Sequence, residues 1–204
     1  EAVELMKDIQ PIMVTARGVK STVHLAIEDS SGDSAIVEYI GGKPVVHHGR
    51  EYRLLTNDPA YDEQLKNLAR YDFTNSTRQT PLPGNVDPVQ RFIRAAYFLQ
   101  KLPKPKTERE AMAGILAIAR NASVPFGAPN NAPGTLYNTE YRTAIDLNNL
   151  RYFFELTTAP NLIWVELSGL DFNPGTPVML LDPDNIYLTG DVMDKFHKGD
   201  KAPF

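Results

Sequence analysis

The strongest constraint on this chain is the way its hydrophobic period changes along its length. From TVHLAIED (22–29) through SAIVEYI (34–40), GGKPVVHHG and EYRLLTN, branched and aromatic residues come in short runs up to position 57, parted by SSGD and by Gly41-Gly42. Short runs of this kind between turn formers specify hairpin strands, since successive side chains face opposite sides of a sheet. From Asp58 the spacing lengthens to Tyr61, Leu65 and Leu68, which predicts a short helix with Asp58 as cap and Pro59 at its first position. Asn57 is thereby expected to end a strand. NSTRQTPLPGNVD (75–87) reads as a loop, and PVQRFIRAAYFLQKL (88–102) as a helix stopped by PKPK. TEREAMAGILAIARNA (107–122) is a further helix, with Thr107 and Glu110 at capping-box spacing and Met112, Ile115, Leu116 and Ala119 as its apolar residues. The period of two then returns over 135–167, as three strands broken at Asn148-Asn149 and Ala159-Pro160, with PVMLL and NIYL as short edge pieces. Strands, then helices, then strands exclude a parallel βαβ series and specify an α+β domain with an antiparallel sheet.

Composition removes several function classes. A chain of 204 residues with 42% hydrophobic and 23% charged residues can bury a sizeable core in one domain, or at most two. A net charge of -4 provides no basic surface for nucleic acid or an anionic membrane. No apolar run approaches the ~20 residues that span a bilayer, and EAVELMKDIQ, which reads as a helix, lacks the basic and apolar regions of a signal peptide. The absence of cysteine excludes disulfides, thiolate metal sites and a thiol nucleophile within these residues. No motif requires a metal or a cofactor.

Two residues stand out. Asn57 sits between an apolar run and a turn, where an asparagine is either a local turn former or an amide placed for use. Arg91 falls inside the apolar arc of 88–102, between Phe98 and Leu102, while Gln90, Arg94 and Lys101 cluster opposite. Burying its guanidinium requires an anion or several carbonyl acceptors, and the alternative is that it snorkels to water. Arg94 is expected to be solvated. His47 and His48 are adjacent on a strand and point to opposite faces, so they cannot readily share a metal. Asp182, Asp184 and Asp191 lack calcium-loop spacing and are expected in turns, as are Gly32 and Gly41-Gly42. Tyr152, Phe153, Phe154 and Trp164 read as core and sheet face.

The runs SAIVEYIGGKPVVHHGREYRLLTNDPAYDEQL, PLPGNVDPVQRFIRAAYF and RYFFELTTAPNLIWVELSGLDF resemble the choloylglycine hydrolase and penicillin V acylase family of N-terminal-nucleophile hydrolases. The resemblance covers nearly the whole chain, is strongest over 34–65 and 81–98, and leans toward the Gram-negative penicillin V acylases. It implies a four-layer αββα sandwich and hydrolysis of a linear amide by an N-terminal cysteine whose own α-amino group is the base. The family motif T-N-x-P is Thr56-Asn57-Asp58-Pro59 here, which implies that Asn57 lends its amide N–H to the oxyanion. The motif R-F-x-R implies that its first arginine, Arg91, belongs to the active site. The family's cysteine-bearing N-terminal region has no counterpart in these residues. The expectation is that 1–204 form the C-terminal two-thirds of a single such domain, inactive without a cysteine-bearing segment or chain. The implied substrate is a small N-acyl amide such as penicillin V or a conjugated bile acid, and the implied assembly is a periplasmic homo-oligomer. An acyl homoserine lactone acylase, or a non-catalytic binding or scaffold protein of the same fold, remains open.

Overall fold

The computed structural model describes residues 1–9, 12, 14–16, 19–21, 24–129, 138–159, 161–182 and 184–199. The chain forms two compact units, 1–100 and 101–204. The first expected strand and the first strand of the later meander begin in 22–23 and 135–137, which lie outside the described residues.

The first unit opens with α1 (Ala2–Lys7), then β1 (Val14–Ala16) and β2 (Val19–Ser21), an antiparallel pair. The expected hairpins follow as β3 (His24–Glu28), β4 (Ser34–Ile40) and β5 (Lys43–His48), in the antiparallel order β3-β4-β5. Gly41 and Gly42 join β4 to β5 with φ of 60° and 78°, a doubly left-handed turn that glycine adopts without steric cost. In β4 the consecutive residues Ala35, Ile36 and Val37 are all buried, so the central strand is covered on both faces.

The strand expected to run on to Asn57 ends instead at His48. Gly49 N makes the last rung to Ser34 O, Tyr52 N turns back to Gly49 O, and Ser34 Oγ donates to Tyr52 O. The apolar residues of EYRLLTN have another destination: Tyr52, Leu54 and Leu55 pack against the buried cluster of Ile36, Tyr61 and Phe92. Their alternation records burial and not a ladder. The helix α2 (Tyr61–Leu68) also starts later than expected, with Ala60 and not Asp58 at its N-cap. A local cap is replaced from the sheet, because Tyr61 N donates to both carboxylate oxygens of the buried Glu38, at 3.1 and 2.9 Å. α3 (Pro88–Lys101) matches its expected span and buries Phe92, Ile93 and Ala95. Asp87 Oδ1 accepts from Gln90 N at 3.0 Å, and Pro88 stands where a helix needs no N–H.

The second unit contains α4 (Glu108–Asn121), β6 (Tyr141–Asp146), β7 (Arg151–Leu156), β8 (Leu162–Glu166), β9 (Val178–Leu180), β10 (Gly190–Asp191) and β11 (His197–Gly199). Thr107 Oγ1 caps α4 by accepting from Glu110 N, while the Glu110 carboxylate reaches Lys106 N, one residue short of a closed capping box. Met112 and Leu116 are buried as expected, but Ile115 is 40% exposed. It stands roughly 60° around the helix from Met112, at the margin of the stripe. β6, β7 and β8 form the expected antiparallel meander, and β10 adds a short parallel edge beside β8. NIYL is not a strand: Asn185 Oδ1 accepts from Tyr187 N and Asn185 O from Leu188 N, closing a local turn. PVMLL does supply β9, paired with β11.

Candidate active site

Asn57 and Arg91 come together within the first unit. Asn57 lies in an irregular segment between β5 and α2, exposed, next to the cis peptide Asp58–Pro59. α3 holds Arg91 one turn from its start, half-buried. Arg91 Nη2 donates to Asn57 Oδ1 at 2.7 Å, and Arg91 Nε donates to Val86 O at 2.8 Å. The carbonyl acceptors that an inward guanidinium demands are thus an amide oxygen and a loop carbonyl.

Arg94 corrects the expectation of a solvated side chain. It is half-buried, and its Nη1 donates to Pro83 O at 3.0 Å and to Asn85 O at 2.6 Å. Burial, and then the charge of Arg91, hold its pKa below the usual arginine value. The carbonyls of the Pro-rich loop turn toward this helix face and accept from the arginine. Together Arg91 and Arg94 tie the carbonyls of Pro83, Asn85 and Val86 to the helix that this loop enters.

Sequence reasoning passed over the residues behind Asn57. Gln64 is 1% exposed, and its Nε2 donates to Thr56 Oγ1 at 3.0 Å and to Asp58 O at 2.5 Å. Thr56 Oγ1 donates in turn to Pro88 O at 3.1 Å. The available signal was its place three residues after Tyr61, on the stripe that Leu65 and Leu68 continue. Glu38 was equally visible as the lone charge in the apolar run SAIVEYI.

Most of the other candidates fall where the sequence puts them. His47 packs at a tilt against Tyr52 and Tyr61, with ring centroids 5.4 and 4.9 Å away, while His48 Nε2 meets Asp33 Oδ2 at 2.8 Å. Asp182 accepts a backbone N–H in a turn, whereas Asp191, expected in a turn, is the last residue of β10 and accepts from Met193 N. Among the described residues no cluster of His, Cys, Asp or Glu could hold a metal. Phe153 packs on Trp164, and Tyr152, Phe154 and Trp164 line a small apolar cavity of about 170 Å³. A larger one, about 550 Å³, lies between α2 and α3 against Tyr61, Leu65, Leu68, Phe73, Phe92 and Leu99; neither Asn57 nor Arg91 lines it. No described helix is long and apolar enough to cross a membrane.

Comparison with known proteins defines the class first: an α+β chain of the N-terminal-nucleophile hydrolase fold, shared with solved amide hydrolases. The model of the linear amide C-N hydrolases, choloylglycine hydrolase family, matches residues 1–180, and the chain belongs to that family. It is similar to the penicillin V acylase of Pectobacterium atrosepticum, 37% identical over 190 residues, covering 85% of this chain and 50% of that protein. It is similar in structure to penicillin V acylase from Agrobacterium tumefaciens, with a TM-score of 0.80 and 34% identity, covering 100% of this chain and 62% of that one. Conjugated bile acid hydrolase from Clostridium perfringens, in its C2A mutant, shares the fold at a TM-score of 0.67 and 19% identity, over 83% of this chain and 58% of that one. The chain spans about half the length of the curated relatives it matches.

Proposed function

We propose that this chain contributes the oxyanion-binding side of a linear amide hydrolase, with Asn57 as the oxyanion donor and Arg91 as the active-site charge that holds it. The hydrogen bond from Arg91 Nη2 to Asn57 Oδ1 carries this reading. A guanidinium has only donors, so it selects the carbonyl end of the amide and turns the Nδ2 end away from itself. An N–H group fixed beforehand toward a developing oxyanion needs no reorganisation as the reaction proceeds.

In the proposed reaction a cysteine outside these 204 residues attacks the amide carbonyl, and its own α-amino group takes the thiol proton. Electrons from the carbonyl double bond move onto oxygen, where Asn57 Nδ2 donates to them. The tetrahedral intermediate collapses to a thioester, the proton passes to the leaving amine, and water then hydrolyses the thioester to the free acid. Arg91 adds a fixed positive charge that favours the thiolate. Residues 1–204 act here as the C-terminal portion of one such domain. Penicillin V is the substrate of choice for the test, because the relatives above 30% identity bear the name penicillin V acylase.

The experiment compares residues 1–204 alone with the same residues joined to a cysteine-bearing N-terminal segment. Penicillin V should be cleaved only in the second case, and intact mass should show the acyl group on the added segment. Turnover by residues 1–204 alone overturns the reading. Failure of the joined protein to cleave while it still binds the amide favours the non-catalytic alternative.

A further inference from the structure

Asn57 is exposed, so burial does not hold it in place; besides the bond from Arg91, its neighbours in the chain help to set its position. A single buried side chain reaches both of them. Gln64 Nε2 has two hydrogens, and they meet Asp58 O and Thr56 Oγ1, the residues on either side of Asn57. Thr56 passes the connection on to Pro88 O, at the start of the helix that presents Arg91. The base of Gln64 is anchored as well, because Glu38 fixes the first N–H of α2 and Tyr61 packs on Phe92 of α3 with ring centroids 6.0 Å apart. An apolar residue of similar size would suit this stripe with less desolvation, so the amide at this position is explained by what it grips.

We propose that Gln64 is a positioning residue for Asn57, setting the distance between the asparagine and Arg91 through Asp58 and Thr56. The proposal rests on the reading of Asn57 as oxyanion donor. Gln64 touches no reacting atom. It sets the backbone on both flanks of one that does, and a donor displaced by a fraction of an ångström loses much of its effect on the transition state.

The test uses the complete, cysteine-bearing protein with penicillin V. Gln64→Leu should lower kcat roughly ten-fold or more, with KM nearly unchanged. Thr56→Val should act in the same direction, whereas Thr56→Ser, which keeps the hydroxyl, should retain activity. In an Asn57→Ala background Gln64→Leu should cost little further activity, because the group it positions is gone. A full additional loss in that background, or a wild-type kcat in Gln64→Leu alone, overturns the proposal and leaves the role of Asn57 intact. A wild-type kcat in Asn57→Ala overturns the oxyanion reading itself. Should Gln64→Leu fail to fold, the Thr56 pair decides: equal activity of the valine and serine variants overturns the proposal.

Discussion

Arg91 Nη2 donates to Asn57 Oδ1 across 2.7 Å, joining side chains 34 positions apart in the chain. One partner comes from an irregular segment and the other from the first turns of a helix, so neither element alone determines the geometry. The second hold on Arg91, from Nε to Val86 O, fixes the plane of its guanidinium and hence the direction from which it meets the amide. The pair is thus one oriented unit, and the experiments below separate its parts.

Replacing Arg91 by lysine keeps the charge and removes the fork. A lysine ammonium cannot satisfy Val86 O and Asn57 Oδ1 in the same fixed plane. The expected outcome in the complete enzyme is a kcat lowered by roughly ten-fold or more at nearly constant stability. Steady-state kinetics beside a thermal melt checks this, and unchanged kcat would show that charge alone suffices.

Arg94 makes a contrasting case. Its Nη1 donates to two carbonyls of the 81–87 loop, Pro83 O and Asn85 O. Arg94→Ala is expected to destabilise the protein by about 1–3 kcal/mol, the cost of leaving such acceptors poorly satisfied. Urea titration should register the loss, and limited proteolysis should find new cleavage within 81–87. A loss of kcat equal to that of Arg91→Lys, without any loss of stability, would contradict the division of labour.

Periodicity was enough to read the longer elements, whereas β1, β2, β10 and β11, of two or three residues each, are too short to carry a pattern. The three- and four-residue spacing in α3 arises from a single packing face, so pattern and structure coincide there, whereas SAIVEYI reads as a continuous apolar run because β4 is covered on both faces. EYRLLTN misled because the period of two reports which side chains are buried and says nothing about hydrogen-bonded partners. The N-cap of α2 was illegible for another reason: Glu38 lies 23 positions before Tyr61, and no local rule connects them. The site was half legible. Arg91 declared itself as a charge within an apolar arc, whereas Arg94 depended on where the carbonyls of a Pro-rich loop would turn, which spacing does not encode.

Hydrogen exchange should follow the sheet order. β4 lies between β3 and β5, and β7 between β6 and β8, so both are bonded on two sides. Amides in 34–40 and 151–156 are expected to be the slowest of their units, and those in 123–129 to exchange much faster. Mass spectrometry on peptic fragments provides the comparison. Equal rates in strands and loop would contradict the assigned topology.

Alkaline pH should find a weak point at Tyr61. Burial, followed by Tyr52 and the charges of Glu38 and Glu51, pushes its pKa up to about 12 from an ordinary value of 10.0. A raised pKa in the folded state means that the unfolded chain ionises first. The stabilising contribution is therefore complete below pH 10.0 and is lost as pH rises from there to about 12. Urea midpoints measured across that window should fall, and Tyr61→Phe should flatten the part of the fall that belongs to this side chain. An identical slope in the variant would assign the loss to other groups.

Asn57→Asp isolates the donor from everything else that Asn57 does. The carboxylate is nearly the same size and still accepts from Arg91, now with a charge-assisted bond. What it lacks is the N–H group, and in the ionised form it places negative charge where an oxyanion would develop. If Asn57 serves the transition state, the complete enzyme carrying Asn57→Asp should fold normally, bind substrate with little change in KM, and lose roughly a hundred-fold or more in kcat, the scale of ~2.7–4 kcal/mol typical of one oxyanion donor. Asn57→Ala, which gives up the Arg91 bond as well, should lose at least as much kcat and also some stability. Stopped-flow assay of acyl-enzyme formation locates the effect at the first chemical step. Retention of kcat by the aspartate variant would leave Asn57 as the anchor of Arg91 and nothing more.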